Sequence, residues 1–351
     1  MTAKPTILVT AVGAPPGRNT LRFLNQSGKY RLVASDADKY SPSLYQFAED
    51  GVKNVILPIA ADESAYLEKL EEVIATHQVS AIVPCIEEEI VVLARHRERL
   101  AEKGIQLMVP EADALENAVN KAYSARIAQE KGIACPTSLT IPTGSSQEVI
   151  TQQLNTFAET CAFPWIIKPV SGHGMRGVEK VETMEHALKV ATGMKSEIFV
   201  QECIPGKIGS MHLVALMCND SGQVVRRFSS RSFCTLFPEG GPATAGITTD
   251  NPQLIADTEK LLNELGHWRG PAAVEWMLDP RDGQYKFIEV NARLWGYSSL
   301  AAGSGAKFHE YLADLSLGQD IGEDPGFKVG VVMMRATQDL IFETCPFELD
   351  R

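Results

Sequence analysis

The 351-residue sequence contains no apolar run of the roughly 18 residues that a bilayer-spanning helix needs. Its opening residues lack the charged head and long apolar core of a secretion signal, so a cytoplasmic location and no membrane partner are expected. Basic residues are in deficit. Lys and Arg number 33 against 44 Asp and Glu, for a net charge of -11 and a pI near 5.2. A nucleic-acid surface draws on clustered cations, so that balance excludes a general polyanion binder and requires any phosphate site to be local. The seven cysteines (Cys85, Cys135, Cys161, Cys203, Cys218, Cys234 and Cys345) are odd in number and scattered, with no CxxC pair. That spacing speaks against a zinc ribbon or a disulfide framework and for reduced thiols. There is no internal repeat and no low-complexity segment. What remains is an ordinary folded composition, 44% hydrophobic and 22% charged, with a mean hydropathy of -0.07. The length exceeds what one hydrophobic core usually organises, which predicts two or three units sharing a cleft.

The pattern along the chain begins as strand, loop, helix: the β-rich Thr6–Thr10, a Gly and Pro cluster at Gly13, Pro15, Pro16 and Gly17, then a helical stretch over Asn19–Gln26. Strand candidates follow at Arg31–Ser35, Asn54–Leu57 and Ala81–Pro84, with a helix over Tyr66–His77, and this alternation implies a parallel α/β sheet. The opening has acids at Asp36 and Asp38, about twenty residues past the glycine loop as in a dinucleotide fold, yet GAPPG does not have the GxGxxG spacing. Gly13 and Gly17 are then read as serving a tight turn. A helical segment over 112–132 breaks at Cys135-Pro136, and a new β-rich unit starts at Phe163. A third β-rich region is expected from Ile198 onward, with strands at Ile198–Gln201, His212–Cys218, Val224–Phe228, Ala272–Leu278 and Tyr285–Val290.

Two segments carry chemistry. In IIKPVSGHGMRG, Ile166–Gly177, an apolar strand delivers Lys168 and opens into Ser171, Gly172, Gly174, Met175 and Gly177. Glycines let backbone N–H groups approach phosphate oxygens and the lysine adds a cation, which suits a nucleoside triphosphate. An ordinary hairpin would leave the same trace. In the second, AVEWM at Ala273–Met277 and KFIEVNAR at Lys286–Arg293 flank the turn DPRDG at Asp279–Gly283. Alternation along a strand puts Glu289 and Asn291 on one face, with Arg293 beyond them and Glu275 within reach on the neighbouring strand. Two carboxylates and an amide oxygen form a hard site for magnesium, which takes few protein ligands and fills its shell with phosphate oxygens and water. The alternative is a solvated acidic hairpin, but Glu289 is embedded between Phe287-Ile288 and Val290, where a charge more often serves function. The stretch FVQECIPG, Phe199–Gly206, says little by itself.

Taken in order, these pieces resemble the ATP-grasp superfamily over nearly the whole chain, most closely its carboxylate-amine ligases and proteins like the large subunit of carbamoyl-phosphate synthetase. The resemblance implies a Rossmann-like N-terminal domain, residues 1–117, that binds no dinucleotide. A two-lobed ATP-grasp domain would follow, the N-terminal lobe over 118–200 and the C-terminal lobe over 201–351. The fold class is therefore α/β and α+β. Lys121, in NKAYSARIAQEKGIACP, and Lys168 would contact the phosphates of ATP, and Ser171–Gly177 would be a flap closing over them. Gln201, Glu202, Cys203 and Ile204 match the hinge whose backbone reads adenine. Glu275, Glu289 and Asn291 match the magnesium ligands, manganese being open as a substitute, and Arg293 matches a phosphate-contacting arginine. The stretch Arg226–Pro252 resembles the ligases and brings Arg231 forward as a catalytic residue. One departure stands out: many relatives hold the ribose with a glutamate soon after the hinge glycine, whereas Lys207, Ile208 and Gly209 stand here, and His212 is the substitute considered.

The function so implied is an ADP-forming ligase that activates a small-molecule carboxylate as an acyl phosphate for attack by an amine. A kinase or carboxyphosphate-forming enzyme of the same fold, and a non-catalytic nucleotide-binding protein, are the alternatives. No nucleic-acid partner is expected. A homodimer and an extension beyond Phe347-Glu348 stay open.

Overall fold

The computed structural model describes residues 3–171, 177–206, 209–237 and 240–347. Its first sheet is built from β1 (Thr6–Val9), β2 (Arg31–Asp36), β3 (Lys53–Ile56) and β4 (Val79–Val83), all parallel in the order β3-β2-β1-β4. β1, a threonine followed by three apolar residues, is buried throughout, because helices cover both faces of such a sheet. The helix Pro15–Ser27 begins with prolines at its first two positions, where no N–H is missed, and stops at Gly28 in the left-handed region. The two glycines of the opening loop are required by close approach. A Cβ at Gly17 would lie 2.3 Å from the Ala11 carbonyl oxygen, and one at Gly13 would meet Ser41 Oγ at 2.7 Å. The Gly13 amide donates to Asp36 Oδ2 at 2.7 Å, so the acid at the end of β2 closes the loop.

The second sheet contains β5 (Ser138–Ile141), β6 (Trp165–Pro169), β7 (Glu179–Val181) and β8 (Ile198–Glu202), antiparallel in the order β5-β8-β6-β7. The helices Gln147–Thr160 and Met184–Gly193, capped by the Ser146 and Thr183 side chains, pack on it. They enclose a core of their own around Leu154, Trp165, Ile167, Val181 and Val200. The strand at Ile198 thus belongs to this sheet, paired with β5 and β6, and not to the third region as its sequence position suggested.

The third sheet runs β13-β12-β9-β10-β11-β14 with every pair antiparallel: β9 (Met211–Cys218), β10 (Val224–Phe237), β11 (Gly240–Thr248), β12 (Gly270–Leu278), β13 (Tyr285–Asn291) and β14 (Val332–Met334). Buried side chains from both of its faces join cores that also hold residues of the first sheet. One core joins Leu8, Val33 and Ile82 to Val214, Leu216 and Trp276, and another joins Ile7, Val9 and Val83 to Leu213, Ala215 and Phe228. The helical segment over 112–132 is two helices, Ala112–Val119 and Lys121–Glu130. Asn120 separates them because its extended backbone ends the first while its side chain accepts the Tyr123 amide to start the second. Among the described residues no helix is long and apolar enough to cross a membrane.

Candidate active site

The third sheet puts two like charges face to face. Glu275 on β12 and Glu289 on β13 are direct cross-strand partners, and the register slips just beyond them, so that Trp276 pairs with Phe287 and Ile288 is extra. Like charges opposite one another weaken a ladder, and a bulge commonly re-aims side chains at a site. Here it keeps Trp276 and Phe287 in the core while Glu275 and Glu289 share the opposite face. Burial first, and then the facing Glu289 carboxylate, raise the pKa of Glu275 above the usual carboxylate range.

Asn291 completes the row. Its amide nitrogen lies 3.4 Å from Glu289 Oε1, and its Oδ1 accepts from Arg293 Nη2 at 3.0 Å. Arg293 Nε is 2.6 Å from Glu87 Oε1. Burial works against the Arg293 charge, but Glu87, Glu275 and Glu289 outweigh it and the net shift is upward. Glu87 was not singled out in the sequence. The signal available was the acidic triplet Glu87–Glu89 in the first turn of the helix Glu87–Arg95, directly after β4.

Two lysines face these acids. Lys168 on β6 is buried and donates to Gln201 Oε1 on β8 at 3.0 Å. Burial lowers its pKa to about 8; Glu289 and Glu275 pull it up and Lys121 pushes it down. Lys121 opens its helix, its amide held by the Val170 carbonyl at 3.1 Å, and its Nζ lies 3.9 Å from Glu289 Oε2. Lys121, Glu289, Asn291, Glu87, Glu88 and Ser171 line a common cavity of about 340 Å³. Gly172, Gly174 and Met175 lie outside the described residues, as do Lys207 and Ile208. Gly177 has φ +69°, with Pro169 filling the space where a Cβ would stand, which explains glycine there.

In the segment Gln201–Ile204, the Glu202 and Cys203 amides donate to the Thr137 and Pro164 carbonyls, and Ile204 is buried. The Glu202 carboxylate pairs with Arg281 at 2.5 Å. Arg281 belongs to the turn between β12 and β13, where Asp279 accepts from Arg281 and Lys286, and these cations hold its carboxyl well below the usual range. That segment and the acidic hairpin are tied by this pair.

Arg231 is not brought to the acids. The register aligns Glu275 with Leu213 and Ser230, whereas Trp276 aligns with His212 and Arg231, and alternation carries the latter set to the other face. Burial, and then Arg231, lower the pKa of His212 to about 4, and its ring lies edge-on to Tyr285. The position on the acidic face is taken by Ser230, buried, with Oγ 3.4 Å from Tyr297 Oη.

Residues 118–297, more than half of the sequence, match the family described as ATP-grasp domain. The chain belongs to the ATP-grasp family. Residues 7–108 match the PylC-like N-terminal domain, so the parallel first sheet followed by two antiparallel sheets is the expected Rossmann-like unit and ATP-grasp domain. D-aspartate ligase of Enterococcus faecium is 25% identical over 221 residues, covering 57% of this chain and 50% of that protein. The chain therefore spans half the length of that relative. Two solved structures share the fold: biotin carboxylase of Campylobacter jejuni in a βγ-ATP complex has a TM-score of 0.70 at 17% identity, covering 92% of this chain and 73% of that one. L-amino acid ligase of Bacillus licheniformis has a TM-score of 0.65 at 18% identity, covering 90% and 75%. Membership in the ATP-grasp family implies use of ATP and a divalent metal.

The residues fit such a metal. Among the described residues no group of three or more His, Cys, Asp and Glu could hold an ion alone. Glu275, Glu289 and Asn291 offer two carboxylates and an amide oxygen, a partial shell that phosphate oxygens and water would complete, as magnesium prefers.

Proposed function

We propose that this protein is an ATP-dependent carboxylate-amine ligase. The observation that carries the reading is the cross-strand pair Glu275 and Glu289, with Asn291 and Arg293 in line and Lys121 and Lys168 facing them. A structural protein gains nothing from two carboxylates set face to face in a ladder. Magnesium held by Glu275, Glu289 and Asn291 would supply charge neutralisation of the ATP phosphates. Lys121 and Lys168 would bind the phosphate oxygens, and Arg293, kept charged and oriented by Glu87 and Asn291, would balance charge as the γ-phosphoryl group moves. The Ile204 segment and Gln201 would border the adenine, and Ser171–Gly177 would cover the triphosphate.

A carboxylate oxygen of the acid substrate attacks the γ-phosphorus and the bond to ADP breaks. The amine nitrogen then attacks the carbonyl carbon of the acyl phosphate, phosphate leaves, and the nitrogen gives up a proton. The anhydride is labile in water, which is why a closed site is needed. The names of the D-aspartate and L-amino acid ligases support an amino acid as one substrate. The three units would divide at about residue 117 and just past Glu202, since β8 pairs within the second sheet.

The reading is tested with hydroxylamine as the amine. Enzyme, ATP, magnesium and a panel of amino and other carboxylic acids are expected to give ADP and a hydroxamate from at least one acid. ADP with a stable phosphorylated acid or alcohol and no hydroxamate would mark a kinase instead.

A further inference from the structure

A second group of cations gathers around Gly296 and the helix Pro15–Ser27. Arg18 and Arg22 stand one turn apart on the helix Pro15–Ser27, so their side chains share a face. Arg335 reaches the same place from the C-terminal segment: its amide donates to the Thr244 carbonyl at 2.7 Å, and its guanidinium donates to the Gly296 carbonyl. That carbonyl also accepts from Asn19 at 3.2 Å, and Gly296 packs against Pro15. Gly296 is three residues beyond Arg293, which places the group next to the phosphoryl-transfer residues.

No carboxylate pairs with any of the three arginines among the described residues. The ionic interactions among them are repulsive. Burial and then Arg18 lower the pKa of Arg22, and burial and then Arg18 lower that of Arg335. Arg22 Nε is buried and has no hydrogen-bond partner among the described residues, and its guanidinium lies over the Phe23 ring at 4.6 Å. In a chain with 44 acidic residues and a net charge of -11, neutralising three neighbouring arginines would be simple. Arg18 and Arg335 are exposed and Arg22 is half-buried; an oxyanion would relieve their mutual repulsion and could accept from Arg22, since the guanidinium fork matches carboxylate and phosphate alike.

We propose that Arg18, Arg22 and Arg335 form an oxyanion site for a second anionic group of the acid substrate, a carboxylate or phosphate carried apart from the carboxylate that is activated. The choice of the acid as bearer rests on the ligase reading; the anion site itself does not. It narrows the acceptor to dicarboxylic or phosphorylated acids.

Two measurements keep the failures apart. In the hydroxamate assay, dicarboxylic amino acids such as aspartate and glutamate, and phosphorylated acids such as phosphoserine, are compared with alanine. Turnover is expected for at least one acid with a second anion. Arg22→Gln and Arg335→Gln should each raise its KM about tenfold or more, as loss of a charge-assisted hydrogen bond does, with the KM for ATP unchanged. Arg335 is exposed, so Arg335→Gln keeps the test open should Arg22→Gln not fold. Separately, calorimetry with inorganic phosphate and with succinate, with and without a non-hydrolysable ATP analogue and magnesium, is run on the wild type and on Arg18→Gln and Arg335→Gln. Binding that weakens in both variants supports the anion site even if no acid turns over, which would count against the ligase reading alone. Equal affinity in wild type and variants, or best turnover with alanine and no KM change, overturns the proposal.

Discussion

At the scale of single residues, the site depends on which charges are held and by what. Glu289→Gln keeps the shape of the side chain and removes one charge of the proposed metal site, so turnover should fall about 10²- to 10³-fold, as when one group stabilising a transition state is lost. Thermal stability should stay level or rise, because a like-charge pair with Glu275 disappears. Turnover at limiting magnesium checks the first, and a thermal melt of the variant checks the second. Lys168 gives a pH dependence with a defined sign. Its pKa, lowered to about 8 by burial, leaves the ammonium charged below that value and neutral above it. ATP affinity should therefore weaken as pH rises through about 8, and Lys168→Met should flatten that limb in a binding titration. Most of this set was legible in the sequence because EVNAR and the strand lysine sit in apolar runs where a charge needs a reason. Glu87 was not, since an acid in the first turn of a helix has an ordinary role with the helix dipole. Arg231 was misplaced because its face follows from the register of β9 with β10 and β12, and no local pattern encodes that register.

Among the elements, the bulge at Ile288 is what lets one strand pair serve both core and site. It explains why alternation counted from Glu289 toward Asn291 holds, while counting back toward Phe287 does not. The opening loop makes a second elemental demand. Alanine at Gly17 would gain up to about 1 kcal/mol in helix propensity, but its Cβ would lie 2.3 Å from the backbone oxygen of Ala11. Overpacking of that kind costs about 1–3 kcal/mol, so Gly17→Ala should lower the urea midpoint. Gly303→Ala, in a helix with nothing within 4 Å of the added carbon, should be neutral or stabilising. The alternating strands of the first sheet and their helices were readable from periodicity. The break at Asn120 and the assignment of β8 to the second sheet depend on a cap and on a pairing partner more than fifty residues away.

In the whole molecule, the first and third sheets share their cores, whereas the second sheet encloses its own. A lobe with a separate core can move as a body against the rest. The site lies where the two parts meet: Lys168 and Gln201 come from the second sheet, the acids and Arg293 from the third, and Glu87 from the N-terminal unit. Nucleotide, metal and acid would be gathered by closing that cleft. The claim that an acid is activated by phosphoryl transfer is tested most directly by isotope transfer. An acid substrate labelled with ¹⁸O in its carboxylate is turned over with ATP, magnesium and an amine, and the released phosphate is analysed by mass spectrometry. The account predicts one ¹⁸O in each phosphate, carried over when the bond between carbon and the bridging oxygen breaks. Unlabelled phosphate, formed at the same rate as product, would contradict it.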